Sequence, residues 1–170
     1  PAEPLFRSIV SDSLSVLMLL LTSAVFVAVN IYSSGFISRK GKRNGYYTFL
    51  HFMAAGMSGA FVTGDLFNLF VMFEIVLISS YALIAYTSDK DSLLVSMRYV
   101  VLNLIGSSLM LISIGGLYAV TGTLNIADMA SVLSQGSVNM APVLAFSLLL
   151  FCVFGIKSGL VPFHFWAPPV

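Results

Sequence analysis

The sequence predicts an all-α fold: a polytopic membrane bundle of about five transmembrane helices, a span needing about 20 apolar residues. Three observations predict it. The 170 residues are 58% hydrophobic and only 9% charged, where soluble domains carry about 25% charged residues. The mean hydropathy is +0.98. The apolar residues also gather in long runs separated by short polar loops, and a soluble chain of this length could not bury so many. Residues 1–170 therefore read as a single membrane domain.

The elements follow in order. Asp12, between Ser11 and Ser13, caps a first span from about Ser13 to Ser33. The loop "SRKGKRNG" carries Arg39, Lys40, Lys42 and Arg43. Short basic loops stay in the cytoplasm, which places the N-terminal end of this chain outside. A short second span runs from about Tyr46 to Val62, and a third from Asp65 to Thr87. A fourth, from Leu93 to Val120, is long and should tilt or protrude. Arg98 anchors its cytoplasmic end. In "TGTLNIADMASVLSQGS", Asn125 caps a short interfacial helix and Gly136 stops it; Asp128 reads as a loop or interfacial residue. A fifth span starts near Ala141 and runs to Pro162, where helix hydrogen bonding must break.

The net charge of +1 gives no reason to expect nucleic acid. Cys152 is the single cysteine; it can make no internal disulfide and reads as a small packing residue. No Cys cluster, flavin motif, haem ligand set or metal ligand set stands out, so no cofactor or metal is expected. The chain opens on Pro1 and ends after "FWAPP". It reads as an internal portion of a longer protein.

Ionisable residues within the apolar runs are the candidate site. Asp65, after Thr63 and Gly64, can cap the third span and meet the positive end of its dipole, or mark an external ion entrance. Glu74 lies nine residues on, about 13 Å deeper, near the middle of a hydrocarbon core about 30 Å thick. A charge there costs roughly 2.5–3.5 kcal/mol on insertion scales, and no capping argument reaches it. It reads as a charge or proton site; the plainer reading is a neutral or paired carboxyl used for packing. Tyr81 shares its helix face.

Lys157 sits among Gly155, Gly159 and Pro162, and apolar residues continue past it. An interrupted helix within a membrane is tolerated where it lines a watery cavity. A lysine there can change charge state when a carboxylate partner moves. The plainer reading is snorkelling to the interface. His51, with Ser58 on its face, could relay protons or bond between helices. His164, just past Pro162, is a further relay candidate.

The strings "TGDLFNLFVMFEIVLISSYALIAY", "YAVTGTLNIADM" and "GIKSGLVPFHFWAPP" resemble the D subunit of the Mrp-type Na+/H+ antiporters. More widely they resemble the antiporter-like subunits of respiratory complex I and membrane-bound hydrogenases. The resemblance implies part of a fourteen-helix fold with two inverted five-helix repeats, this chain matching family helices three to seven. Carried over, the family's functional glutamate matches Glu74 and the lysine of its broken helix matches Lys157. Pro169 stands where Asp or Gly is common, and His164 falls on a variable position.

The implied function is proton and cation translocation through a Glu74–Lys157 relay. It would run in a cell-membrane subunit of a multisubunit Na+/H+ antiporter, a secondary transporter rather than an enzyme. Its partners would be other membrane subunits of a hetero-oligomer, protons, Na+ and the bilayer. The alternative is a proton-pumping subunit of a membrane-bound hydrogenase or a complex I-like NADH or ferredoxin oxidoreductase, the redox chemistry lying in its partners. A third possibility is an assembly scaffold without transport.

Overall fold

The computed structural model describes residues 9–38, 41, 44–85, 90–136 and 138–160, and for 90–96 and 98 the backbone alone. The basic residues of the 39–43 loop, the side chain of Arg98, and Pro162 and His164 lie outside the described residues. Among the described residues six helices follow one another: α1 Ser13–Phe36, α2 Tyr46–Val62, α3 Leu66–Ala85, α4 Lys90–Thr121, α5 Ile126–Ser134 and α6 Met140–Ser158. α1, α3, α6 and the Tyr99–Thr121 stretch of α4 are long and apolar enough to cross a bilayer. α2 has 17 residues; it rises about 26 Å, at the short end of what spans.

Helix starts are set by short polar side chains. Asp12 Oδ1 accepts the Ser15 N–H at 2.7 Å. Asp65 Oδ1 accepts the Asn68 N–H at 2.9 Å. Asn125 Oδ1 accepts from Ala127 at 3.0 Å and Asp128 at 3.2 Å. Asn139 Oδ1 accepts the Ala141 N–H at 3.0 Å and opens α6. Each satisfies an N–H that has no partner within its own helix.

Helix ends differ more from expectation. α1 continues three residues past Ser33, to Phe36. The hydroxyls of Ser33 and Ser34 turn back onto the carbonyls of Asn30 and Ile31, at 3.1 and 2.7 Å. Polar groups that looked like a stop are thus satisfied inside the helix. α4 begins at Lys90, before the expected Leu93, and ends at Thr121. There the Gly122 N–H donates to Tyr118 O at 2.8 Å. α6 ends at Ser158, four residues short of Pro162. A glycine closes it, as described below.

The chain forms two compact units, divided between Thr63 and Gly64 and again within α3 and within α4. In the first, Ile9–Thr63 and Val71–Met97, α1 packs on α2. The Val10 N–H donates to Val62 O at 2.7 Å, and Ile9 pairs antiparallel with Thr63. The start of α1 therefore lies beside the end of α2. Within the same unit α2 meets α3 at Gly56. A Cβ there would come 2.8 Å from Val76 Cγ2 and 3.0 Å from Met72 O. Such closeness is how membrane helices gain contact without a hydrophobic driving force.

The second unit holds Gly64–Phe70 and, among the described residues, 98–136 and 138–160. Its buried cluster is Leu117, Met129 and Val143, packed round by Leu66, Leu133 and Phe146. α4 and α6 run antiparallel. Ile156 lies against Gly106, Lys157 against Ser107, and the Phe146 ring against Gly116. The face of α4 turned inward holds Asn103, Ser107, Met110, Ile114, Leu117 and Thr121, all buried. These positions are spaced alternately four and three residues apart, the seam of a helix packed along its length.

Polar side chains in the spans mostly return to their own helix. Ser23, Asn30, Ser79, Asn103, Ser113 and Thr121 each donate to the carbonyl four residues before. Among the described residues no buried side-chain N or O lacks a partner. The outer surfaces are apolar. On α1, Leu14, Leu20 and Ile31 are 65–70% exposed, a surface suited to lipid or to other subunits rather than water. Cys152, expected as a packing residue, is exposed on α6. The inward positions of that helix are taken by Val143, Val153 and Gly155.

Candidate functional site

Lys157 lies in the last turn of α6. Side chains on a helix lean toward its N-terminus, so a lysine there reaches back along the helix. Its Nζ donates to Ser107 Oγ on α4 at 3.1 Å. Lys157 is half-buried, and Ser107 is 5% exposed. Ser107 stands eight residues, about 12 Å, into the apolar stretch of α4 that begins at Tyr99. The ammonium therefore points back into the apolar part of the unit, not away from the helix end.

The break beyond Lys157 has a definite geometry. Gly159 adopts φ 67°, a left-handed conformation that a side chain disfavours. Its N–H donates to Ile156 O at 3.2 Å, and the Leu160 N–H donates to Gly155 O at 2.9 Å. This pair of bonds is the Schellman closure of a helix. A glycine, rather than Pro162, ends the span, and it does so two residues past the lysine.

Glu74 lies in the middle of α3, in the first unit, and is half-buried. Tyr81, two turns on, is half-buried as well. Lys157 belongs to the second unit.

Asp65 is the cap of α3: its carboxylate holds the Asn68 N–H. Its backbone is tied too. Asp65 faces Asn125 across an antiparallel bridge, with the Leu66 N–H donating to Leu124 O at 3.0 Å and the Ile126 N–H to Gly64 O at 2.9 Å. The capping residues of α3 and α5 therefore stand opposite one another. Asp128 falls in the first turn of α5, where a carboxylate suits the helix dipole.

His51 is exposed, and its Nδ1 lies 2.7 Å from Tyr47 O on its own helix. A carbonyl only accepts, so Nδ1 carries the proton. With Tyr47, Thr48, Phe52 and Ala55 it lines a shallow surface groove. The bond expected between helices is made within one. Among the described residues no cluster of three or more His, Cys, Asp or Glu side chains could hold a metal ion.

Ser107 is the residue that the sequence did not single out. The available signal was the four-and-three spacing that aligns it with Asn103, Met110 and Ile114.

These features define a class: a multi-pass helical membrane protein with ionisable residues held inside its spans. Residues 63–170 match the family described as "NADH:quinone oxidoreductase/Mrp antiporter, TM", and the chain belongs to that family. It is 43% identical over 159 residues to the D subunit of the Na+/H+ antiporter of Bacillus subtilis, covering 93% of this chain and 32% of that one. It is 40% identical over 161 residues to the D subunit of the Na+/H+ antiporter of Alkalihalophilus pseudofirmus, covering 94% and 32%. Two solved structures share the fold. One is the Mrp complex of Dietzia sp., with TM-score 0.78, 30% identity and coverage of 93% of this chain and 29% of that one. The other is an archaeal membrane-bound sulfane sulfur reductase, with TM-score 0.76, 32% identity and coverage of 91% and 31%. The chain spans about a third of the length of the relatives it matches.

Proposed function

We propose that this chain is part of the proton-translocating subunit of a multisubunit Mrp-type Na+/H+ antiporter, and that Glu74 and Lys157 form its relay. The observation that carries the reading is the 43% identity, over nearly the whole chain, to the D subunit of a Na+/H+ antiporter. The geometry of Lys157 supports the relay. The lysine ends a glycine-closed span and turns its ammonium inward. A buried ion pair adds little stability, since both ions lose hydration. It serves better as a site with two charge states. A proton arriving at Glu74 weakens its attraction for Lys157, which then reorients or releases its proton, and the next polar group along the mid-membrane axis responds. The difference in stability between the two arrangements sets how far the equilibrium moves. Other membrane subunits would complete the path and bind the cation, Na+.

The test is antiport in vesicles containing the assembled complex, read as collapse of a pH gradient on adding Na+. Glu74→Ala and Lys157→Ala should each reduce it more than about tenfold, the size expected when a positioned proton-transfer group is lost. Unaltered antiport in both variants would sink the relay.

A second reading has its own support, the 32% identity to a chain of the archaeal respiratory complex. There the same residues would move protons under the drive of electron transfer in partner subunits. Purifying the complex and identifying its subunits separates the two: small antiporter subunits favour the first, iron–sulfur subunits the second.

A further inference from the structure

We propose that the Ser107 hydroxyl is a positioning group for Lys157, a seat on α4 that holds the Nζ in either of its charge states. The proposal rests on the relay role given above to Lys157 and adds a residue that this role requires.

The geometry is a contact between side chains fifty positions apart, Lys157 Nζ to Ser107 Oγ at 3.1 Å. It runs between two helices. Ser108 and Ser113 donate to Leu104 and Leu109 on their own helix. Ser107 faces α6 on the buried seam of α4, one turn from Asn103 and next to Gly106. Gly106 leaves Ile156 3.9 Å from where its Cβ would stand. The two helices are thus close enough there for a lysine to be met by a side chain as short as serine.

The chemistry of the hydroxyl suits the task. A lysine that changes charge state needs a partner for both forms. An ammonium only donates, while a neutral amine also offers a lone pair. A carboxylate can only accept, so it favours the charged form strongly. A hydroxyl has one O–H to donate and two lone pairs to accept with. Ser107 can therefore accept from the ammonium or, by rotating its O–H, donate to the neutral amine. It keeps its own proton in both arrangements. The seat gives Nζ a partner in either charge state, so the lysine has a defined place on α4 when its carboxylate partner is neutralised.

The experiment uses the full-length subunit in its assembled complex, in vesicles, with antiport scaled to the amount of complex. Ser107→Ala should lower the rate about tenfold, the loss of one hydrogen bond to a charged group converted to a rate. Ser107→Thr, which keeps the hydroxyl, should restore most of it. Ser113→Ala, an equally buried serine bonded within its own helix, should leave the rate unchanged. Adding Ser107→Ala to Lys157→Ala should cause no further loss, because the serine acts through the lysine. Wild-type rates in Ser107→Ala, with Lys157→Ala inactive, overturn this proposal and leave the relay standing. Wild-type rates in Lys157→Ala overturn the relay itself. Loss in Ser107→Ala that only tracks a fall in assembled complex, or that adds to the loss in Lys157→Ala, makes Ser107 a packing residue and also overturns the proposal.

Discussion

A carboxylate at a helix start and one in the middle of a span answer to different physics, and α3 carries both kinds. Asp65 holds the Asn68 N–H at 2.9 Å, so its oxygen matters more to the helix than its charge does. Asp65→Ala should lower stability by about 1 kcal/mol, the usual cost of a lost cap. Asp65→Asn keeps an acceptor and should leave both the thermal midpoint of the solubilised complex and its antiport unchanged. An Asn variant that stays stable but stops transporting would give the charge itself a role at an ion entrance. Asp12 is the same device outside the membrane. The Ser15 N–H, bonded to its carboxylate, holds its pKa below the ordinary 3.8. A depressed carboxylate pKa contributes stability above the unfolded value and loses it as pH falls through the folded one. The α1 cap is therefore fully present above pH 3.8 and is lost as pH falls through the lower folded value; carbon NMR of the Asp12 carboxyl should show a midpoint under 3.8.

Among the elements, the glycines of α2, α4 and α6 sort by what surrounds them. At Gly56 an added methyl would meet Val76 and the Met72 carbonyl at 2.8 and 3.0 Å. One of these is backbone and cannot swing aside. Gly56→Ala should destabilise the α2–α3 packing by about 1–3 kcal/mol, the range for overfilled cores. Gly106→Ala meets nothing nearer than Ile156 at 3.9 Å. It should be neutral or stabilise α4 by up to about 1 kcal/mol, the intrinsic advantage of alanine. Thermal unfolding of the two variants side by side gives the comparison, and equal losses would mean that α2 and α3 are less closely packed than described. Gly159→Ala acts differently, by forcing a side chain into φ 67°, at a cost of roughly 1–2 kcal/mol. Hydrogen exchange at the amides of position 159 and Leu160 should quicken in that variant.

For the molecule as a whole, the sequence spoke most clearly where the physics is local. Asp12, Asp65 and Asn125 were legible as caps because the acceptor and the N–H it satisfies lie within three residues. The membrane class was legible from composition. Helix ends were harder: the first span was expected to end at about Ser33, yet the Ser33 and Ser34 hydroxyls fold back onto α1, which continues to Phe36. The proposed site was only half legible. Glu74 and Lys157 announce themselves as charges in apolar runs, but Ser107 is one serine among many until folding brings it across fifty positions to the lysine. The basic loop at 39–43 makes a prediction at this scale. In a cysteine-free background, Ser38→Cys should label from the cytoplasmic side and Gln135→Cys from the opposite side, following the positive-inside rule. Labelling of both from one side would reverse or break the proposed topology.

The bridge between Asp65 and Asn125 sets an order on biosynthesis. The Leu66 N–H is paired with Leu124 O, and the Ile126 N–H with Gly64 O, so neither bridging segment has its partner when α3 first leaves the ribosome. α4 must be made and inserted before the clasp can close, at the entropic cost of a long loop. Translation arrested before residue 124 would strand the start of α3 without it. Release past α5 would let both ends lock together, and pulsed hydrogen exchange on arrested chains should then show the Leu66 and Ile126 amides gaining protection in the same step.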